Sequence, residues 1–344
     1  MQHKVAIVGS GNWGSAISKI IGTNVKKQSD FSPEVRMWVY EEELDGEKLT
    51  HIINTKHENV KYLPGITLPD NVVAVPELLD ACEGATILVF VLPHQFVKGV
   101  CKKLEGHVSP NCKGISLIKG LETSEGMGLI SHIISNILKI EMSVLSGANI
   151  ANEVAAEKFC ETTIGSPSRE SGELFRKLFH TSYFLVSVVD DVNGVELFGA
   201  LKNIIAIAAG ITDGLEYGDN TKAAIIRMGM LEILKFGKKF YEGVKSDTIY
   251  QSCGIADLIT TCYGGRNRKV AEAHARTGKS FEELEKEMLN GQKLQGTLTA
   301  KEVYTFLKSK QLTQEFPLMT TVYRVCYEDL SPSDLFKELA RNYR

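Results

Sequence analysis

The chain opens with a short apolar run that leads into three regularly spaced glycines. Residues 4–8 read Lys-Val-Ala-Ile-Val and predict a strand, and a helical pattern follows from residue 13 onward. Gly9, Gly11 and Gly14 lie at this junction with the spacing Gly-x-Gly-x-x-Gly. In a strand–turn–helix unit these glycines permit a tight turn, close approach of a pyrophosphate and close helix packing, and the helix N-terminus supplies N–H groups to phosphate oxygens. The motif therefore predicts a βαβ unit that binds a dinucleotide, with a plain glycine-rich turn as the alternative.

Beyond this loop, the first half of the chain alternates Val- and Ile-rich runs with helical segments. Such runs are typical of a parallel sheet buried on both faces, and the alternation implies right-handed βαβ crossovers. From residue 191 onward the periodicity is helical, with almost no strand signal. We therefore predict a Rossmann-type α/β domain with a doubly wound, mostly parallel sheet over residues 1–190, and an all-helical domain over residues 191–344. The predicted strands are residues 4–8, 35–39, 72–75, 86–92, 114–118, 142–145 and 184–189, and the main predicted helices are residues 13–25, 76–82, 95–104, 192–211, 221–241, 266–277, 281–290 and 299–308.

Composition excludes several classes of protein. A net charge of -3 argues against a nucleic-acid-binding protein. The seven cysteines form no Cys-x-x-Cys pair and show no zinc-ligand spacing, which indicates reduced intracellular thiols and no metal site. No apolar run reaches about 18 residues without a polar interruption, so we expect no membrane span. Without a recognisable targeting signal, the expected location is the cytoplasm.

The end of the second predicted strand bears on the choice of cofactor. Tyr40 is followed there by Glu41, Glu42 and Glu43. An acidic side chain at this point hydrogen-bonds the ribose 2′-hydroxyl and repels a 2′-phosphate, so the sequence favours NAD over NADP. The alternative is a solvated acidic turn, with Tyr40 packing against the adenosine.

The most apolar predicted helix, residues 192–211, carries one lysine at its centre. Lys202 is surrounded in sequence by Leu, Ile and Ala and has no evident partner. Burial without a partner favours the neutral amine, which suits a general base that takes a proton from an alcohol while hydride leaves the adjacent carbon. Asn203 could hold the same oxygen. A lysine that extends its ammonium to the domain surface is an equally good interpretation.

A second polar cluster opens the helix predicted at residues 266–277. Two glycines precede it, and its first turn carries Arg266, Arg268 and Lys269. Cations at a helix N-terminus oppose the helix dipole, and a bound anion would resolve the conflict. The pattern fits a substrate with a phosphate group, and an exposed basic helix start is the alternative.

Further candidates follow predicted strands of the first domain. Ligands of open α/β sheets bind beyond the carboxyl ends of the strands, where Lys119 and Asn149 lie. Phe96 could cover the cofactor, and His94 is a competing acid–base group, although a polar loop histidine is the more frequent situation. A 2-hydroxy-acid dehydrogenase with His94 as base would also need an arginine for the carboxylate and an acidic partner for the histidine, and the sequence reveals neither.

These residues resemble a known family, the cytosolic NAD-dependent glycerol-3-phosphate dehydrogenases of eukaryotes. The resemblance extends in order over nearly the whole chain, so it is much more specific than the glycine motif. It implies the reversible reaction of sn-glycerol 3-phosphate and NAD to dihydroxyacetone phosphate and NADH. It also implies a homodimer that links glycolysis to glycerolipid synthesis and to a shuttle of reducing power. The matching segments are residues 9–14, 57–65, 93–96, 116–120, 147–149, 159–165, 199–203, 218–224, 257–269 and 291–296.

The resemblance also implies roles for individual residues. Lys202 would be the proton acceptor, and Arg266 with Asn267 would hold the phosphate. Tyr40 stands where the family has Phe, a mild change. The residues implied in catalysis or substrate binding are Lys119, Asn149, Lys202, Asn203, Asp257, Thr261, Arg266, Asn267 and Gln295. The residues implied in NAD binding are Gly9, Ser10, Gly11, Asn12, Trp13, Gly14, Tyr40, Phe96, Ala151, Arg266, Lys293 and Gln295.

A non-catalytic NAD(H)-sensing protein of the same fold is the remaining alternative. Lys119, Lys202 and Arg266 are all present, which favours the enzyme.

Overall fold

The computed structural model describes residues 2–122 and 127–342. The chain divides into two compact units, Met1–Lys119 with Leu129–Glu196, and Gly120–Gly128 with Leu197–Arg344. The sequence predicted one boundary at residue 190.

The first unit contains an eight-stranded sheet. Its order is β8-β7-β6-β5-β4-β1-β2-β3, and β7 and β8 run opposite to the other six strands. The six parallel strands thus have the order 3-2-1-4-5-6 of dinucleotide-binding sheets. The predicted fold class is confirmed. The strands are β1 His3–Val8, β2 Phe31–Trp38, β3 Val72–Val75, β4 Ile87–Phe90, β5 Lys113–Ser116, β6 Glu141–Ser146, β7 Cys160–Gly165 and β8 Phe184–Val189.

Strand β1 shows why the sheet needs helices on both faces. Its alternate side chains belong to two separate apolar clusters, Val5 and Ile7 to one and Ala6 and Val8 to the other. Because successive side chains of a strand point to opposite faces, both faces are buried. The helices of this unit are α1 Asn12–Val25, α2 Leu49–Lys56, α3 Leu78–Cys82, α4 Val97–Leu104, α5 Ile130–Leu138, α6 Ala151–Ala155, α7 Arg169–Phe179 and the start of α8, with a 3₁₀ turn at His94–Phe96.

Two strands differ from their prediction. Strand β7 was not predicted, because its sequence Cys-Glu-Thr-Thr-Ile-Gly lacks an apolar run, although Thr162 and Thr163 are buried. Strand β2 begins at Phe31 and includes Pro33, whereas its predicted start was residue 35. The register of β1 with β2 shifts at this point, and such an irregularity accommodates a proline.

The second unit is helical. The long helix α8 spans Val192–Gly214, and residues 197–342 contain no strand. The helices after it are α9 Asp219–Phe240, α10 Asp257–Gly264, α11 Arg266–Thr277, α12 Phe281–Leu289, α13 Gln295–Ser309, α14 Pro317–Tyr327 and α15 Asp334–Asn342. Short turns of this unit lie at Ser246–Tyr250, Ser252–Ala256 and Thr313–Glu315. Two pairs of two-residue strands lie outside the main sheet: Glu43–Leu44 with Glu47–Lys48 in the first unit, and Leu121–Glu122 with Gly128–Leu129.

By length and composition alone, α8 could cross a membrane, but 94% of its most apolar window is buried inside the protein. A helix that is apolar on all sides is typical of a buried core position. None of the seven cysteines forms a disulfide bond. Within the described ranges, no group of His, Cys, Asp and Glu is arranged to hold a metal ion.

Candidate active site

The candidate residues fall in both units. In the first unit, each glycine of the loop after β1 has a distinct environment. Gly9 has φ +124°, and a Cβ there would lie 2.6 Å from the Val91 carbonyl oxygen. A Cβ on Gly14 would lie 2.5 Å from the Gly9 carbonyl oxygen, whereas one on Gly11 would meet nothing within 4 Å. Gly9 therefore forms the turn, Gly14 permits close helix packing, and Gly11 leaves open space for a ligand.

The start of α1 suits an anion. Gly11 is the N-cap, no side chain caps the helix, and the first turn carries no acidic residue. The first N–H groups of a helix have no intrahelical acceptor and lie at the positive end of its dipole. The loop and helix start therefore fit the pyrophosphate of a dinucleotide.

A cavity of about 680 Å³ adjoins this loop. It lies beyond the carboxyl ends of β1, β2 and β4, where the strand order reverses. Tyr40 and Phe96 line it with 73% and 57% of their surfaces exposed, so both rings are available to a ligand. Further lining residues are Gly9, Ser10, Gly11, Trp38, Glu42, Tyr62, Val91, Leu92, Pro93, Gln95, Gly99, Val100 and Lys103.

The three glutamates after Tyr40 are not equivalent. Both carboxylate oxygens of Glu41 accept hydrogen bonds from Thr50, and Glu43 is exposed on the hairpin. Glu42 lines the cavity, where it pairs with Lys61 and accepts a 2.8 Å hydrogen bond from the Tyr62 hydroxyl. These bonds hold the pKa of Glu42 below its usual range, so its carboxylate is ionised at neutral pH.

Two other loop residues have defined side-chain partners. Asn12 donates to the Asn152 side chain at 2.8 Å and so joins the loop to α6, which begins at Ala151. The indole of Trp13 packs beside Phe184, with ring centroids 6.4 Å apart. The Trp13 ring therefore packs against the core of this unit, and only the backbone of Trp13 forms part of the loop.

The candidates after β5 and β6 are joined within the first unit. Lys119 Nζ donates to the Gly147 carbonyl at 3.2 Å, which connects the two loops. The Asn149 amide nitrogen donates to the Glu161 carbonyl of β7 at 2.9 Å, while its buried Oδ1 has no hydrogen-bond partner among the described residues.

Lys202 has a partner that the sequence did not reveal. Only 7% exposed, it forms an ion pair with Asp257, itself 2% exposed. The expectation that Lys202 stands alone among apolar groups is wrong, because chain folding brings α10 against α8. A one-turn π-helix, Ser252–Ala256, delivers Asp257 to this position, and Thr261 Oγ1 donates to the Asp257 carbonyl at 2.6 Å. The carboxylate favours the ammonium form of Lys202 and opposes the effect of burial.

The neighbouring Asn203 belongs to a second contact of α8. The Asn267 amide donates to Asn203 Oδ1 at 3.1 Å and accepts from the Gly296 N–H at 2.8 Å. A Cβ on Gly296 would lie 2.6 Å from the Asn203 carbonyl oxygen, so only glycine fits. Sequence reasoning missed Gly296, because nothing in the local pattern shows which helix approaches it.

The cations at the start of α11 have different surroundings. Arg268 pairs with Asp213 at 2.6 Å and with Glu272 at 2.9 Å, so its charge is compensated within the protein. The exposed Arg266 donates instead to the neutral Gln292 side chain at 3.0 Å. The prediction that the cations in the first turn of α11 together bind an anion is wrong for Arg268, because its charge is already paired.

The remaining candidates lie around the start of α13. Gln295 is its exposed first residue. Lys293 pairs with Glu285 at 2.9 Å, and this hydrogen bond raises the pKa of Lys293. The same glutamate accepts from the Leu294 N–H at 2.9 Å and so fixes the turn before the helix.

The strand order and the glycine loop define a protein that binds a dinucleotide through a Rossmann-type domain. Two family models match the chain: the N-terminus of NAD-dependent glycerol-3-phosphate dehydrogenase over residues 4–171, and its C-terminus over residues 191–337. The chain therefore belongs to the NAD-dependent glycerol-3-phosphate dehydrogenase family. It is an enzyme whose cofactor is NAD and whose substrate is a small phosphorylated molecule.

Individual relatives agree with this membership. The chain is 61% identical over 327 residues to the cytoplasmic NAD(+) glycerol-3-phosphate dehydrogenase of Rattus norvegicus, covering 94% of each chain. It is 62% identical over 335 residues to the glycerol-3-phosphate dehydrogenase 1-like protein of Danio rerio, covering 96% of this chain and 95% of the relative. Among solved structures, glycerol-3-phosphate dehydrogenase from Saccharomyces cerevisiae matches with a TM-score of 0.95 and 46% identity, covering 98% of this chain and 99% of that one.

Proposed function

We propose that the enzyme interconverts sn-glycerol 3-phosphate with NAD and dihydroxyacetone phosphate with NADH, and that Lys202 transfers the proton. The observation that carries the proposal is the buried Lys202–Asp257 ion pair beside Asn203. A buried ammonium held in a fixed position is suited to proton exchange with a single substrate oxygen.

In the reducing direction, Lys202 Nζ donates its proton to the C2 carbonyl oxygen while that carbon accepts hydride. In the oxidising direction, the neutral amine takes the proton from the C2 hydroxyl. The cofactor, when bound, would supply this hydride as NADH and accept it as NAD in the reverse direction. Asp257 orients the Lys202 side chain and stabilises its charged form. The Thr261 hydroxyl in turn donates to the backbone carbonyl of Asp257.

The phosphate would be held at the start of α11. Arg266 supplies a guanidinium whose partner in the structure is the neutral Gln292, so it can bind an anion without losing an ion pair. The side chain of Asn267 already bonds to Asn203 and Gly296, and we therefore assign its contribution to its backbone N–H in the first turn. Lys119, Asn149 and Gln295 are the further substrate residues that we propose.

For NAD binding, we propose the residues of the glycine loop together with others that the resemblance implies. The open space at Gly11 and the exposed rings of Tyr40 and Phe96 support the first part of this assignment. The full set is Gly9, Ser10, Gly11, Asn12, Trp13, Gly14, Tyr40, Phe96, Ala151, Arg266, Lys293 and Gln295.

The cellular setting follows from the resemblance. Relatives that are named cytoplasmic support a cytoplasmic location. We further propose a homodimer that links glycolysis to glycerolipid synthesis and to the shuttle of reducing power.

Replacement of Lys202 tests the proposal. Lys202→Ala should lower kcat for dihydroxyacetone phosphate reduction by about 10²- to 10⁴-fold, because the proton donor is lost. The dissociation constant of NADH, measured by fluorescence titration, should change less than about twofold, because Lys202 is assigned no contact with NAD and even one lost methylene contact would change it more. A kcat close to that of the wild type would refute the role of Lys202.

Lys222→Ala is the matched control. Lys222 is also buried, at 4% exposure, and pairs at 2.8 Å with Asp213, a half-buried carboxylate that Arg268 also contacts. This variant should lose stability but retain most of kcat.

An inert wild-type protein that still binds NADH would favour the non-catalytic alternative.

A further inference from the structure

Asn59 is a buried polar residue that contacts the glycine loop from a distant part of the sequence. Its relative exposure is 0%. Its amide nitrogen donates to the Ser10 carbonyl and to Ser15 Oγ, both at 2.9 Å, and its Oδ1 accepts from the Tyr62 N–H at 3.2 Å. Both donor hydrogens of the amide are thus directed at the loop and the first turn of α1.

The Ser10 carbonyl is an effective point at which to hold this loop. Ser10 lies between Gly9 and Gly11, and glycines give a backbone wide conformational freedom. In a trans peptide the C=O and the following N–H point in opposite directions, so a bond from Asn59 to the Ser10 carbonyl turns the Gly11 N–H away from Asn59. Ser15 Oγ donates to the same carbonyl at 3.2 Å, which adds a second constraint.

The turn that carries Asn59 also contacts other parts of the cofactor cavity. The Asn12 side chain donates to the Tyr62 carbonyl at 2.6 Å, and the Tyr62 hydroxyl donates to Glu42. Residues 59–62 therefore bond to both the phosphate-binding loop and the acidic side chain of the cavity.

We propose that Asn59 is a positioning residue that holds the glycine loop in the conformation that binds the pyrophosphate of NAD. It is not a catalytic residue, because its bonds are to the protein. The proposal rests on the proposed function only in taking a dinucleotide as the ligand of the loop.

The test replaces Asn59 by Asp, which keeps the shape of the side chain but removes both donors and places a carboxylate against the Ser10 carbonyl. Asn59→Asp should raise the inhibition constant of ADP-ribose, measured against NADH, by about tenfold, since a buried donor pair is lost. The inhibition constant of adenosine, which has no phosphate, should stay within about twofold because the lost bonds lie at the phosphate end. The KM of dihydroxyacetone phosphate at saturating NADH should not change.

Asn24→Asp is the matched control for lost stability. Asn24 is buried near the other end of α1 and donates to the carbonyls of Leu178 and His180 at 3.0 and 3.1 Å. The Asn24→Asp variant should lower the melting temperature, but it should not raise the inhibition constant of ADP-ribose relative to that of adenosine. If Asn59→Asp behaves like Asn24→Asp, or weakens both inhibitors equally, the positioning role is refuted.

Ser15→Ala provides a second variant if Asn59→Asp does not fold. It removes one of the two acceptors of Asn59 and should raise the inhibition constant of ADP-ribose severalfold, with adenosine unaffected. No difference between the two inhibitors would overturn the proposal. Failure of the proposed function would show instead as an inactive wild-type protein, in which equilibrium binding of ADP-ribose can still be compared among the variants.

Discussion

Arg266 differs from the other arginine at the start of α11 in the partner of its guanidinium. Arg268 is bonded to two carboxylates, whereas Arg266 is bonded to the neutral amide of Gln292. A substrate phosphate would therefore gain a charge-assisted hydrogen bond from Arg266 without competition from a protein carboxylate. This difference makes Arg266 the residue that should distinguish phosphorylated from unphosphorylated substrates.

Arg266→Ala should lower kcat/KM for dihydroxyacetone phosphate by about 10- to 100-fold, because hydrogen bonds to charged groups contribute about 1.5–3 kcal/mol. The much lower kcat/KM for unphosphorylated dihydroxyacetone should stay nearly constant. Arg276→Ala, which removes a cation paired with Glu272 at the other end of the same helix, serves as the control. Equal losses for both ketones would contradict the assignment of the phosphate to Arg266.

At single residues, local sequence predicted chemistry better than it predicted contacts. Lys202 was recognised because a lysine in an apolar helix is unusual, yet its bond to Asp257 joins residues 55 positions apart. Asn59 carried no comparable signal, since a polar residue in a loop segment looks solvated until folding buries it. Such roles depend on long-range packing, which periodicity does not encode.

At the level of elements, the junction of β1 and α1 shows how similar substitutions can have opposite effects. A methyl group on Gly14 would collide with the Gly9 carbonyl, whereas one on Gly11 would enter open space. Gly14→Ala should therefore destabilise the protein by about 1–3 kcal/mol through overpacking. Gly11→Ala should leave the melting temperature nearly unchanged and weaken NADH binding, because the added methyl occupies the approach of the pyrophosphate.

The pair is checked by thermal melts and by NADH titration of both variants. Gly11→Ala with wild-type affinity for NADH would show that the open space is not the ligand's position.

A buried carboxylate of α9, Glu232, contacts the start of α14 and has a predicted effect on pH stability. Glu232 accepts the N–H groups of Leu318 and Met319 at 2.8 and 3.0 Å, yet burial raises its pKa from 4.5 to about 7. Between these values the unfolded chain releases a proton that the folded protein keeps. The stability contributed by the protonated group is therefore present below pH 4.5 and is lost as the pH rises to about 7.

Glu232→Gln should remove this part of the pH dependence. Relative to the wild type, the unfolding free energy of the variant should rise by about 3 kcal/mol at most between pH 5 and pH 8, as urea titrations would measure. The exposed Glu282→Gln should follow the wild type. If the difference in unfolding free energy between Glu232→Gln and the wild type stays constant across this pH range, Glu232 does not titrate in it.

At the same scale, the sequence predicted most parallel strands and the long helices, because their apolar runs are strong. It missed β7, whose buried threonines do not form an apolar pattern, and the full length of β2, where a register shift accommodates Pro33. It also missed the π-helical turn before Asp257, since nothing in the local composition distinguishes it from a loop.

For the whole molecule, the change of periodicity near residue 190 separated an α/β part from a helical part. The structure has its division at Glu196 and adds Gly120–Gly128 to the second unit, an excursion of the chain that no periodicity indicates. The mostly parallel, doubly wound sheet could be foreseen, because strands alternate with helices along the chain and such connections are right-handed crossovers. The partners of Lys202, Asn267 and Glu42 could not, because each lies in an element that is remote in sequence.

Under the proposed function, this chain reduces a phosphorylated three-carbon ketone with NADH. The measurement that tests this activity is the rate of NADH oxidation by the wild-type protein with dihydroxyacetone phosphate and with dihydroxyacetone, each repeated with NADPH. We expect rapid turnover for NADH with the phosphorylated ketone and a far lower kcat/KM for each other combination. No turnover despite NADH binding, or equal kcat/KM for the two ketones, would contradict it.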